Sequence, residues 1–114
     1  MSSSIKTMDD FADVLKCSQQ NPVLLMKFSP ICPTSLQVQM EFEAFAAKAP
    51  QNLSMFTIDV IAARPTSRSI AEAIGVQHES PQAIFIDKGE VVWHASHYRL
   101  SRESLGEKAQ ELCK

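Results

Sequence analysis

Hydrophobic residues recur along the chain at two spacings, which divide it into alternating helices and strands. The first apolar set has the i, i+3, i+4, i+7 spacing of one helical face: Met8, Phe11, Ala12 and Leu15. Thr7 and Asp10 form a capping pair at the start of this predicted helix, and Pro22 ends it. The nearly continuous apolar run Val23–Phe28 then predicts a strand covered on both faces.

The next segment fits both periods. Leu36, Val38, Met40 and Phe42 alternate with polar residues, as in a strand, but Val38, Phe42, Phe45 and Ala49 also share one helical face. The residue types Gln, Met, Glu, Leu and Ala favour a helix, and Pro33 suits a first helical position. We therefore predict a helix over about 33–48, ended near Pro50.

The rest of the chain predicts two more helices and three more strands. A strand over 53–60 precedes a helix that begins around 64–67 and ends at Gly75. Strands over 83–86 and 90–94 flank a hairpin turn, and Ser101 caps a last helix. The order predicts an α/β fold in one domain, 1–114, with a mixed central β-sheet flanked by about four helices.

Charge and composition narrow the function classes. The net charge is −2 and no basic patch is visible, which argues against nucleic-acid binding. No apolar run approaches the roughly 20 residues of a membrane span, and no signal-peptide pattern is evident. Three widely spaced cysteines, Cys17, Cys32 and Cys113, form neither a disulfide framework nor a metal site. We therefore expect a cytoplasmic protein with reduced thiols that binds neither membranes nor nucleic acids.

Cys32 is the candidate catalytic residue because it precedes Pro33 at a strand-to-helix junction. The first amides of a helix lack internal partners, and the helix dipole there favours negative charge. Pro33 has no N–H, so the amides of Thr34 and Ser35 are expected to face the sulfur, and Ser35 can add its hydroxyl. Pro33, Thr34 and Ser35 are therefore predicted to stabilise the thiolate and lower the pKa of Cys32.

The other cysteines have weaker claims to function, and Cys32 itself has an alternative interpretation. Cys32 could be a small buried hydrophobe, as free cysteines often are. Cys17 lies among polar residues and is interpreted as a surface cysteine without function. Cys113 is either a frayed-end thiol or a mobile resolving thiol.

Ser80 and Pro81 are candidate substrate-binding residues. A proline at the start of an inner strand removes a ladder hydrogen bond, and a cis bond in a tight turn is one way to accommodate it. The backbone before Pro81 would then pair with a bound thiol or peptide close to Cys32. A trans proline in an ordinary loop is the alternative.

These motifs together resemble the thioredoxin superfamily and, more narrowly, the YtxJ family of monothiol bacilliredoxins. The active-site pattern of that family is Thr-Cys-Pro-Ile-Ser, and Ile31–Ser35 keeps its Cys, Pro and Ser. The likeness continues through further blocks: Glu41–Phe45, Ser69–Glu72, Gly75–Gln82, Gly89–His94 and Ser96–His97. It implies a thioredoxin-like fold in the cytosol of bacteria that use bacillithiol, with Pro81 as the cis-proline.

The resemblance also implies an activity. Cys32 would act as a thiol-disulfide oxidoreductase that removes bacillithiol from protein mixed disulfides. Its partners would be S-thiolated proteins and the small thiol, which is a co-substrate rather than a bound cofactor. Because position 35 is serine rather than cysteine, a thiol from outside the chain would have to reduce the resulting mixed disulfide on Cys32, unless Cys113 or Cys17 does so. The alternatives are a binding module that uses the same groove, either a thiol-dependent cluster binder or a non-catalytic adaptor.

Overall fold

Five strands and four helices alternate along the chain in a computed structural model that describes residues 2–113. The strands are β1 Ser2–Ser4, β2 Val23–Phe28, β3 Ser54–Asp59, β4 Gln82–Asp87 and β5 Glu90–Ser96. The helices are α1 Met8–Gln20, α2 Pro33–Ala46, α3 Arg64–Ile74 and α4 Arg102–Leu112, with a 3-10 turn at His97–Arg99. None of the helices within residues 2–113 has the length and apolar character that a membrane crossing requires.

The strands form one mixed sheet in the order β1-β3-β2-β4-β5. β1, β3 and β2 are parallel, whereas β4 is antiparallel to β2 and β5 to β4. All six residues of β2 are buried, because this strand lies between two neighbours and is covered on both faces. The α/β fold with a mixed sheet and four helices is therefore confirmed.

Two hydrophobic cores lie on opposite faces of the sheet. Leu24, Met26 and Phe28 of β2 point to the core shared with α2 and α4, and Val23 and Leu25 point to the core shared with α1 and α3. This alternation follows from the two-residue period of a strand. It also places the remaining residue of β2, a lysine discussed below, on the face of α1 and α3.

Local signals located the helix ends well. The Thr7 hydroxyl accepts the amide of Asp10 and the Asp10 carboxylate accepts the amide of Thr7, each at 3.1 Å, so the predicted capping pair is confirmed. Gly75 ends α3 with φ at 70°, a left-handed conformation that suits glycine. Two elements were not predicted: β1, whose three residues are exposed serines, and the 3-10 turn.

An ion pair joins α2 to the start of α4. The Glu41 carboxylate accepts bonds from Arg102 Nε at 3.2 Å and Nη2 at 3.0 Å, and from the Arg102 backbone amide at 3.0 Å. These side-chain and backbone donors, in that order, lower the pKa of Glu41 to about 2. Because both side chains are partly exposed, the pair serves mainly to orient the helices.

A buried serine joins α1 to the β4–β5 turn. Ser18 is fully buried, and its hydroxyl donates to the Leu15 carbonyl at 2.6 Å and accepts the Gly89 amide at 2.9 Å. Lys88 and Gly89 both have positive φ, as the tight hairpin turn requires. The Ser18 carbonyl accepts the Lys88 amide at 2.8 Å, so one residue satisfies both turn amides.

Replacing Ser18 with alanine should lower the free energy of unfolding by about 1–3 kcal/mol, because the Gly89 amide loses a buried acceptor. Urea unfolding of wild type and Ser18→Ala measures this difference. Ser69→Ala on the exposed side of α3 is the matched control and should leave stability unchanged or slightly raised. Equal stability of Ser18→Ala and wild type would show that the hydroxyl contributes nothing to the turn.

Candidate active site around Cys32

Cys32 lies at the junction between the central strand and a helix. It is the N-cap residue of α2, and Pro33 occupies the first helical position. The short loop from Ser29 closes on itself, since the Cys32 amide donates to the Ser29 carbonyl at 3.4 Å. The thiol is partly buried and unbonded to another cysteine. The sulfur therefore lies at the positive end of α2 and remains accessible.

The pKa of Cys32 is lowered by hydrogen-bond donors in the first turn of α2. The backbone amide of Ser35 is the largest cause, followed by the amide of Thr34 and then the two hydroxyls, while partial burial acts in the opposite direction. The Cys32 side chain accepts no capping bond within ordinary hydrogen-bond limits. We therefore interpret these donors as dipoles directed at the thiolate rather than as short bonds to the thiol.

Ser35 occupies a buried position behind the cysteine. It is fully buried, and its hydroxyl oxygen accepts the amide of Ser29 at 3.1 Å. Because that oxygen acts as the acceptor, the hydroxyl proton remains available for a thiolate at Cys32. Ser35 thus connects the end of β2 to the first turn of α2 and contributes to the donor set of the thiol.

The segment before β4 forms the second side of the site. The Ser80–Pro81 peptide bond is cis, and Pro81 is buried. Gln82 pairs with Lys27 across β2 and β4, so Pro81 enters the sheet beside the end of β2 that leads to Cys32. The Pro81 carbonyl accepts the amide of His97 at 3.1 Å, which joins this segment to the 3-10 turn.

The surface near Cys32 carries exposed apolar side chains. Ile31 is 77% exposed and Tyr98 is 86% exposed, and Leu36 and Met40 are exposed on α2. A groove of about 170 Å³ lies between α2 and the 3-10 turn, with Thr34 and Tyr98 among its lining residues. A larger cavity of about 750 Å³ lies between the C-terminal half of α2 and α4, and Cys32 lines neither this cavity nor the groove. Thr34, one of the two residues that supply donors to the thiol, lines the smaller groove, whereas neither of them lines the larger cavity.

Comparison with known proteins identifies the family. Residues 3–105 match the family of the monothiol bacilliredoxin BrxC. The chain belongs to this bacilliredoxin family. Its structure is similar to a thioredoxin-fold protein described as an oxidoreductase candidate, with a TM-score of 0.83, 28% identity and coverage of 96% of this chain and 93% of the other.

Two thioredoxins share the fold at lower sequence identity. The thioredoxin of Malassezia sympodialis has a TM-score of 0.77 at 16% identity, with coverage of 98% of this chain and 90% of its own. That of Fasciola hepatica has a TM-score of 0.75 at 18% identity, with coverage of 96% and 98%. The thioredoxin-like fold is thereby confirmed, and membership of the family supports a thiol-redox role for this chain.

The structure does not bring the other two cysteines of this bacilliredoxin to Cys32. Cys17 is exposed on α1. Cys113 follows α4 and packs partly buried against the core, where burial and then the charge of Asp87 raise its pKa. Asp87 ends β4 beside the start of β2, at the opposite end of the sheet from Cys32. A Cys32–Cys113 disulfide, which needs Cα atoms within about 7 Å, would require the end of α4 to leave the core.

Two polar residues near the site were missed by the sequence analysis. Lys27 was counted within the apolar run Val23–Phe28, and Gln82 was left just outside the predicted strand 83–86, yet both are 1% exposed. A lysine inside an otherwise apolar strand was the available signal. Among residues 2–113, no group of three or more His, Cys, Asp or Glu side chains is placed to hold a metal ion.

The hydroxyl of Ser35 should contribute to both reactivity and stability. In Ser35→Ala we expect a higher pKa of Cys32 and a free energy of unfolding lower by about 1–3 kcal/mol, because the Ser29 amide loses its buried acceptor. The pH dependence of iodoacetamide alkylation measures the first, and urea unfolding measures the second. Thr34→Val, which removes the weakest of the four donors, should raise the pKa less. An alkylation profile of Ser35→Ala that superimposes on the wild-type profile would contradict this role.

Proposed function

We propose that the chain is a monothiol thiol-disulfide oxidoreductase that removes bacillithiol from protein mixed disulfides. The observation that carries the proposal is a partly exposed Cys32 whose pKa is lowered at the start of α2, with an oxygen rather than a sulfur at position 35. A thiolate at neutral pH is the attacking species in disulfide exchange. Membership of the bacilliredoxin family supports bacillithiol as the small thiol.

The first half of the proposed cycle is a thiolate exchange. The Cys32 thiolate attacks the bacillithiol sulfur of the mixed disulfide, a Cys32–bacillithiol disulfide forms, and the protein sulfur leaves as a thiolate. The first-turn amides of α2 lie beside the attacking sulfur, so they stabilise the thiolate before attack and when it is released again. The protein thiolate then takes a proton from solvent.

The second half requires a thiol from outside the chain. A free bacillithiol thiolate attacks the bacillithiol sulfur held on Cys32, which forms bacillithiol disulfide and releases the Cys32 thiolate. Cys113 is partly buried against the core at the end of α4, and its pKa is raised. Both features favour an outside thiol over this residue. A reducing cytoplasm is the compartment that supplies such a thiol.

The surface around the thiol suits a protein substrate. Ile31, Leu36 and Tyr98 present apolar area at the rim of the site, and exposed apolar area of this kind marks interaction surfaces. We propose that the substrate chain lies across Ser80 and Pro81 and that the small thiol occupies the groove beside Thr34 and Tyr98. A thiol-dependent cluster binder would instead give a coloured, iron-containing protein.

Replacing Cys32 with serine should abolish the removal of bacillithiol from a bacillithiolated model peptide, because no other thiol lies at the site. Intact mass after incubation with bacillithiol disulfide should show one adduct on wild type and none at position 32 of the variant. Parallel incubation with glutathione disulfide should yield less adduct. Cys17→Ser is the matched control and should react as wild type does. Undiminished activity of Cys32→Ser would exclude the proposal.

A cysteine introduced at position 35 should allow the chain itself to carry out the second half of the reaction. In Ser35→Cys we expect the adduct on Cys32 to be replaced by an intramolecular disulfide, since Cys32 is the N-cap of α2 and position 35 lies in its first turn. Non-reducing intact mass measures the loss of two hydrogen atoms and the absence of bound bacillithiol. A persistent bacillithiol adduct on Ser35→Cys would show that position 35 cannot reach the sulfur of Cys32.

A further inference from the structure

Two buried polar side chains face one another behind the Pro81 segment. Lys27 on β2 and Gln82 on β4 are directly paired across the sheet, and each is 1% exposed. Both point to the face of α1 and α3, because the residues that follow them in each strand belong to the opposite core. Among residues 2–113, Lys27 Nζ and Gln82 Oε1 have no hydrogen-bond partner. A cationic donor and a carbonyl acceptor thus lie side by side without partners.

Lysine is an unfavourable choice for this position. Burial lowers its pKa from 10.5 to about 8, and the charge of Glu79 opposes the shift only in part. The other residues of β2 are apolar, and an apolar side chain at position 27 would avoid burying a charge. A residue that lowers the stability of the fold and lies beside a reactive site is typically retained because it serves the function of that site.

The segment that leads to Pro81 is already attached on three sides. His78 Nδ1 lies 3.3 Å from the Ser67 hydroxyl of α3, and the Pro81 carbonyl accepts the His97 amide. Gln82 Nε2 donates to the Gln77 carbonyl at 3.0 Å, which braces the two ends of the segment. That bond orients the Gln82 amide and leaves Oε1 as its unpaired atom. The remaining neighbour is β2, where Lys27 faces Gln82.

The charges near Lys27 belong to this segment and to α3 rather than to the thiol. Glu79 acts on Lys27, and Lys27, Arg68 and Arg64 all act on His78, whose pKa is lowered chiefly by burial. The pKa of Cys32 is determined by donors of Ser35 and Thr34, and no charged side chain contributes. Lys27 is therefore placed to act on residues 77–82 and not on the reactivity of the sulfur.

We propose that Lys27 is a positioning residue, whose ammonium group faces Gln82 across the sheet and attracts the Glu79 carboxylate, and so holds residues 77–82 in the shape that receives substrate. The ammonium connects this segment to the strand that leads to Cys32, so the two sides of the site keep a fixed spacing. The proposal rests on the proposed function, because substrate is taken to lie across Ser80 and Pro81. Its effect belongs to substrate binding rather than to thiolate formation.

The test compares Lys27→Met, which removes the donor, with Lys27→Gln, which keeps an uncharged donor. With a bacillithiolated peptide, we expect KM of Lys27→Met to rise roughly tenfold, as for loss of a hydrogen bond to a charged group, and kcat to change little. Lys27→Gln should recover part of this loss. Lys16→Met, the same substitution on the exposed side of α1, is the matched control and should leave KM unchanged.

The dependence on pH separates positioning from simple packing. Wild-type KM should increase above about pH 8, where Lys27 loses its proton, whereas KM of Lys27→Met should be high and constant across that range. The alkylation rate of Cys32 should be the same in both proteins. An unchanged KM in Lys27→Met at every pH would overturn the proposal. A fall in the alkylation rate of Cys32 in Lys27→Met that matches the rise in KM would overturn it too, because Lys27 would then act on the sulfur.

Stability provides a readout of the buried charge itself. Between about pH 8 and 10.5 the unfolded chain holds a proton on Lys27 that the folded chain has lost. Wild type should therefore gain stability relative to Lys27→Met as pH rises through this window. A constant difference would show that the folded protein keeps the proton on Lys27 up to about pH 10.5, which would overturn the loss of the ammonium near pH 8. A gain in stability that begins well below pH 7 would show that Lys27 is neutral at neutral pH, which would overturn the role of the ammonium.

A second variant keeps the test independent of folding defects at position 27. Gln82→Leu removes the polar side chain that faces Lys27, together with its bond to the Gln77 carbonyl, and should raise KM in the same direction. The double variant should be no worse than the more impaired single variant. Additive losses would contradict a shared contact. If the activity of wild type depends on Cys32 but KM is unaltered in these variants, the role of Lys27 is rejected and the proposed function stands.

Discussion

The hydrogen bond from the Ser29 amide to the buried Ser35 hydroxyl is the contact on which the geometry of the site depends. It joins the residue after β2 to the first turn of α2 across the loop that contains Cys32. With this loop closed, the Ser35 amide and the sulfur keep a fixed relation, and the donors lower the pKa of the thiol. The central strand transmits the rigidity of two cores to this junction, since all six of its residues are buried.

Elements with a clear hydrophobic period could be predicted from the sequence, and the exceptions have physical reasons. β1 was missed because its exposed serines join the sheet through backbone bonds to β3, which leave no pattern in side chains. The strand-like alternation of residues 36–42 arose because Leu36 and Met40 are apolar and exposed. These two residues lie on the outer face of α2, whereas Val38 and Phe42 form its buried face.

The site could be predicted only as far as local chemistry determines it. Cys32 and its first-turn donors follow from a cysteine before a proline at a helix start, which is a property of a few adjacent residues. Lys27 and Gln82 required the register of β2 against β4, because nothing local indicates that residues 55 positions apart are paired. The remote position of Cys113 depends likewise on the direction of α4 across the sheet. Contacts between distant segments were therefore the part that the sequence did not reveal.

In the proposed cycle, the buried oxygen at position 35 means that the second thiol comes from outside the chain. Ser35 lies behind Cys32 and is inaccessible to solvent, so any molecule that attacks an adduct on Cys32 has to approach from the exposed side. That side is bordered by Ile31 and by the groove beside Tyr98. In the proposed cycle, release of the adduct would then depend on the concentration of an outside thiol and on its fit to this surface. A two-cysteine site would resolve its adduct at a fixed effective concentration, whereas a one-cysteine site couples each cycle to the small-thiol pool of the cell.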